Sequence, residues 1–82
     1  MKTTKEIKIE IKRKYQFALK QRDMWQLEEL RYLNENKKKK ASEIHEFVIE
    51  YQSRMNTLCD MYMYVTNYNL FEAVEDLRKD AE

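Results

Sequence analysis

The 82-residue sequence contains no glycine, no proline and a single cysteine. Glycine and proline supply the positive-φ and fixed-φ positions on which tight turns, β-hairpins and phosphate-cradling loops depend. Their absence argues against most β and α/β architectures. It also excludes Walker-type loops, the dinucleotide-binding glycine fingerprint, the nucleophile elbow and the EF-hand loop, each of which needs glycine at a fixed offset. An all-α chain is the class that remains. A lone Cys59 makes no intrachain disulfide, and no apolar run approaches the length of a signal-peptide core or a membrane span. A cytoplasmic protein with no membrane association is the expectation, and a chain of this length holds one domain, residues 1–82.

What is present is charge. Sixteen basic and fifteen acidic side chains leave a net charge of +1, which gives no whole-molecule attraction to nucleic acid or anionic lipid. The distribution is uneven: residues 1–40 carry 13 Lys/Arg against 6 Asp/Glu, and residues 41–82 carry 3 against 9. A basic first helix lying antiparallel beside an acidic second one, with charges flanking the shared seam, accounts for this asymmetry. Residues with AT-rich codons (Phe, Tyr, Met, Ile, Asn, Lys) number 35, against 9 for Gly, Ala, Arg and Pro. That bias suits a low-GC bacterium or its phage.

Thr3 followed by Glu6 fits a capping box and starts a first helix over 3–36. Ile7, Ile9 and Ile11 alternate like a strand, but nothing nearby can turn a hairpin to pair with them. At helical spacing Ile7, Ile11, Tyr15, Ala18, Leu19 and Trp25 share one side. Ile9, Phe17, Met24, Leu27 and Leu30 spread around the remainder. A first helix that is apolar on more than one face is expected to be covered from two sides. Asn34 to Lys40 interrupt the periodicity, with Asn suited to a left-handed C-cap and Lys favoured near a helix C-terminus. Ser42 then reads as the cap of a second helix over 42–66, along which Ile44, Phe47, Val48, Tyr51, Met55, Leu58, Cys59, Tyr62 and Val65 keep a helical rhythm. Asn69 and Glu72 form a further box ahead of a short helix over 69–81. The first helix matches in length the second and third together, so the expected fold is an antiparallel helical hairpin with a jointed returning arm, assembling as a dimeric bundle.

Chemistry finds little foothold. His45 and Cys59 lie fourteen residues apart on one helix, roughly 21 Å along its axis, so they form no intrachain dyad. One His and one Cys are too few for zinc, and the Glu-x-x-His motifs of di-iron bundles do not occur. No catalytic residue, no metal site and no cofactor is expected, and the chain is not read as an enzyme. Lys37, Lys38, Lys39 and Lys40 are candidate phosphate contacts, although a solvated loop tip is the favoured explanation. The most distinctive stretch runs from Met61 to Phe71. Met and aromatic side chains are enriched at binding surfaces because Met adapts its shape and Tyr joins a large ring to a hydroxyl. Met61, Met63, Tyr64, Tyr68 and Phe71 are the candidate partner-binding residues. The function expected is a non-catalytic, homodimeric protein-protein interaction module, extending to a phage or mobile-element inhibitor or adaptor that binds a host protein. The alternative is a small nucleic-acid-binding bundle using the basic first helix and the lysine run.

Overall fold

The computed structural model describes residues 2–79. Helix α1 spans Thr4–Asn34, α2 spans Lys38–Thr66 and α3 spans Leu70–Leu77, and no strand is found among the described residues. The two long helices form an antiparallel hairpin in a rod of 49 × 21 × 21 Å. Thr3 caps α1 as its hydroxyl oxygen accepts from the Glu6 backbone N–H.

The first reversal of the chain is built on Asn36. This residue takes φ 60°, its N–H donates to the Leu33 carbonyl, and the N–H of Lys37 donates to the Tyr32 carbonyl at 2.8 Å. That pair of bonds is a Schellman motif, which satisfies two carbonyls otherwise orphaned at the helix end. Because the motif closes the turn within Glu35–Lys37, α2 starts at Lys38, four residues before the expected Ser42. Lys38, Lys39 and Lys40 therefore form its first turn rather than a loop. Ala41 is already core there, at 2 % exposure.

The second reversal uses the same device. Asn67 has φ 63° and closes α2 through its N–H to the Met63 carbonyl at 2.8 Å. Asn69 then caps α3 in a complete capping box with Glu72. Helix α3 does not lengthen the returning arm, as equal-length arms led us to expect; it folds back along the hairpin. Its end reaches Gln16 of α1, whose amide donates to the Leu77 carbonyl at 3.1 Å and to the Lys79 carbonyl. Length alone says nothing about direction, and the left-handed residue supplies it. The last expected residues of the helix, 80–81, lie outside the described residues.

The core is a single seam. Ile11, Tyr15 and Ala18 of α1 meet Met55, Cys59 and Tyr62 of α2, with Ala73 and Leu77 of α3 closing over them. Ile44 and Val48 continue the buried stripe of α2 toward the turn. Tyr62 is completely buried, and its hydroxyl donates to the Asp76 carboxylate, which also faces Lys12 at 3.7 Å. Burial, reinforced by Asp76, pushes the Tyr62 hydroxyl above its ordinary 10.0. The hydrogen bond from Tyr62 holds the Asp76 carboxyl below its ordinary 3.8, with Lys12, Lys8 and Lys79 acting in the same direction. This network pins α3 to both long helices.

Two predictions follow from the reversals and the pin. Only glycine, and next to it asparagine, takes the left-handed region cheaply, so Asn67→Ala should lower stability by about 1 kcal/mol while Asn67→Gly is neutral; urea denaturation of the three proteins separates them. A depressed carboxyl stabilises the fold above its unfolded value and loses that contribution as pH falls below about 4. A raised phenol stabilises below its unfolded value and loses its contribution as pH climbs past about 10. Thermal melts should therefore show falling stability at both ends. Tyr62→Phe should cost about 1–3 kcal/mol at neutral pH and flatten both limbs, because it removes the donor to a charged acceptor.

Candidate functional site

The one thiol and the one imidazole stand in different surroundings. Cys59 is buried at 5 % exposure, and burial, with the charge of Asp60, pushes its thiol up. A thiol of that kind is a poor nucleophile. His45 faces α1 instead, its Nδ1 2.9 Å from Glu29 Oε2. No group of three or more His, Cys, Asp and Glu among the described residues is arranged to hold a metal. Among the same residues no helix is long and apolar enough to cross a membrane.

The lysine run is divided by its surroundings. Lys37 pairs with Glu35 at 3.5 Å. The ammonium groups of Lys37 and Lys40 stand 5.8 and 5.2 Å from the centroid of the Tyr32 ring, which also receives Arg31 at 4.9 Å. Such cation-π contacts hold the side chains to the end of the rod. Lys38 and Lys39 project from the first turn of α2 as exposed side chains.

The Met/Tyr stretch separates into two groups. Met63 and Tyr68 are half-buried and pack against the core, with the Tyr68 ring edge-on to Tyr62 at 6.1 Å and Lys8 above it at 5.9 Å. Met63 was expected to point away from the buried stripe; it does not, because α3 folds back over that side. Met61, Tyr64 and Phe71 are exposed, Tyr64 at 91 % and Phe71 at 77 %, with Leu70 beside them in the sequence at 60 %. All four lie within six residues of the α2–α3 joint in the sequence. Tyr64 and Phe71 keep most of their apolar surface in water, and large aromatics are the usual anchors of protein interfaces.

A second apolar surface was not singled out from the sequence. The α1 residues that meet α3 (Lys8, Lys12, Gln16) and those on the other side of the buried stripe (Lys14, Phe17) flank Ile11, Tyr15 and Ala18 from opposite directions. The side without α3 is an open groove of about 580 Å³, formed by Lys14, Phe17 and Ala18 of α1 and Tyr51, Arg54 and Leu58 of α2. Trp25 and Phe47 stack at 4.8 Å between α1 and α2. The signal for this surface was the set of apolar residues outside the main stripe of α1. Phe17 and Met24, 58 % and 46 % exposed, are the members of that set on this side, whereas the exposed Leu27 and Leu30 lie on the side of α1 that carries Lys12.

Comparison with protein-family models, with characterised proteins and with solved structures finds no match. The surface of this chain is then the only guide to its function.

Core and surface are separable by mutation. Leu77→Ala, at a completely buried position, should cost about 2–5 kcal/mol through the cavity it leaves. Tyr64→Ala should change stability by less than about 0.5 kcal/mol. Denaturation midpoints of the two variants test the assignment, and equal losses would make Tyr64 part of the core.

Proposed function

We propose that the chain is a non-catalytic helical interaction module, a homodimer that also binds another protein through the exposed Met61, Tyr64 and Phe71 at the α2–α3 joint. The observation that carries this reading is the exposure of Tyr64 and Phe71, 91 % and 77 %, on a scaffold whose own core is complete beside them. A rigid capped joint holds them out, so little conformational freedom is lost when a partner covers them. The absence of glycine-dependent phosphate loops and the burial of the only thiol support binding over chemistry. The codon-related composition and small size support an accessory protein of a phage or mobile element, cytoplasmic in a low-GC bacterium, that inhibits or adapts a host protein by covering its surface.

The test is affinity capture from a low-GC bacterial lysate with wild type and with the Tyr64→Ala/Phe71→Ala variant as baits. A protein retained by the wild type at 0.5 M salt and lost with the folded double variant supports the reading. Sub-micromolar, salt-sensitive binding to DNA or RNA, abolished when Lys37, Lys38, Lys39 and Lys40 are replaced by Gln, would instead favour the nucleic-acid alternative.

A further inference from the structure

The open side of the hairpin carries a periodicity of its own. On α1 the residues Lys14, Phe17, Gln21, Met24 and Glu28 follow one another at spacings of 3, 4, 3 and 4. On α2 Phe47, Tyr51, Arg54 and Leu58 do the same at 4, 3 and 4. The spacing is that of a heptad, the repeat with which one helix faces another, and on α1 the apolar Phe17 and Met24 alternate with the polar Lys14, Gln21 and Glu28. On α1 this stripe lies off the one used for the mutual contact, whereas on α2 Tyr51 and Leu58 also pack at the edge of the core and Phe47 stacks on Trp25, so it is the outward part of both stripes that stays uncovered. Phe17 is 58 % exposed, Met24 46 % and Phe47 44 %.

The surface area argues for an occupant of a definite size. The chain exposes 6291 Å², whereas surface-to-mass scaling for compact monomers gives about 5300 Å² at 10.2 kDa. The excess of about 1000 Å² matches what one partner contributes to a standard interface, ~800 Å². It arises because a rod 49 Å long and 21 Å wide has one helix seam and half a covering layer, and a second rod laid alongside would remove it.

We propose that a second copy of this chain closes the open side, antiparallel to the first, about a two-fold axis at the level of Gln21 and Gln52. The inference deepens the self-association in the proposed function by giving it a surface and an orientation. The hydrogen bond from Arg22 to Gln52 at 2.7 Å sets these two levels side by side. About that level both stripes are self-complementary. Lys14 and Glu28 are equidistant from Gln21, so each Lys14 meets the second copy's Glu28, and Phe17 meets Met24. On α2 Phe47 meets Leu58, and Tyr51 meets Arg54, which already lies 5.0 Å from the centroid of the Tyr51 ring in its own chain. A parallel arrangement would bring the Lys14 and Arg54 rims of both grooves to one end and add like charge there. Closure about one two-fold axis consumes both stripes at once and leaves Tyr64 and Phe71 outside for a different partner.

Sedimentation equilibrium on the full chain tests this. A dimer is expected at micromolar concentration. Phe17→Glu and Leu58→Glu should each raise its dissociation constant about 100-fold or more, while Tyr64→Ala leaves it unchanged. Lys14→Glu and Glu28→Lys should each weaken the dimer and together restore it. Circular dichroism confirms that each variant is folded. As a check that does not depend on weakening anything, Gln21→Cys should be joined to a dimer by a short bis-maleimide linker, whereas Lys14→Cys and the wild type should not. A monomer at 100 µM overturns the proposal and self-association together. A dimer insensitive to Phe17→Glu and Leu58→Glu, or a charge swap that fails to restore it, overturns this surface or this orientation and leaves self-association standing. Capture through Tyr64 and Phe71 is read separately in every case.

Discussion

A helix packed against one other helix can bury only one stripe of its surface, and this chain has more apolar side chains than one seam can take. Ile11, Tyr15 and Ala18 fill the seam on α1, and Met55, Cys59 and Tyr62 fill it on α2. The remaining apolar residues have to be covered from elsewhere or stay in water. Helix α3 covers one side with Ala73 and Leu77, both completely buried. Its eight residues are too few to reach the length of the rod, about 12 Å at the helical rise, and it leaves the opposite side untouched. The exposed Phe17, Met24 and Phe47 are the consequence of that shortfall, as is the surplus of accessible surface.

Where α3 does cover the hairpin, the contact is not held by apolar burial alone. Tyr62, Asp76 and Lys12 place a phenol, a carboxylate and an ammonium group at the meeting point of all three helices. A short helix buries little area, and a directional polar network fixes its register where packing would leave it free to slide. The same network accounts for two half-buried residues of the Met/Tyr stretch. Once α3 is pinned across Tyr62, Met63 and Tyr68 are covered by it, while Tyr64 and Phe71 are left facing outward.

The helices and the main core stripe were legible in the sequence because each depends on local periodicity: Tyr62, Cys59 and Met55 share a face on any helix of standard pitch. The capping box of Asn69 and Glu72 was legible for the same reason. The start of α2 was not. Lysines contribute nothing to an apolar rhythm, and Ser42 resembled a cap, whereas the boundary is set by the left-handed Asn36 six residues upstream of it. The path of α3 was hidden too, since Asn67 changes the direction of the chain without changing any hydrophobic pattern. In the candidate surface Tyr64 and Phe71 stand out by lying off every buried stripe. The open groove escaped notice because Phe17 and Leu58 become neighbours only once the register of the hairpin is known.

That register also changes the meaning of the charge asymmetry. With the lysine run inside α2, this helix carries four basic and four acidic residues, α1 carries eight basic and five acidic, and α3 carries three acidic and none basic. The segregation therefore separates α1 from α3, and the long helices are not an oppositely charged pair. Ion pairs seen within the helices run along them, Lys14 with Glu10, Arg31 with Glu28 and Arg54 with Glu50, and these exposed pairs contribute little to stability. Lys12 instead meets Asp76 across the α1–α3 contact, at side chains only 13 % and 25 % exposed, where water screens the attraction less. The acidic helix is thus drawn to the basic half of α1, on the side where Lys8 and Lys12 project. On the open side Arg13, Lys14 and Arg54 gather at the groove, and Glu28 lies at the other end of the α1 stripe. Turned end over end, an identical surface keeps its basic groove away from the first and brings Lys14 toward Glu28.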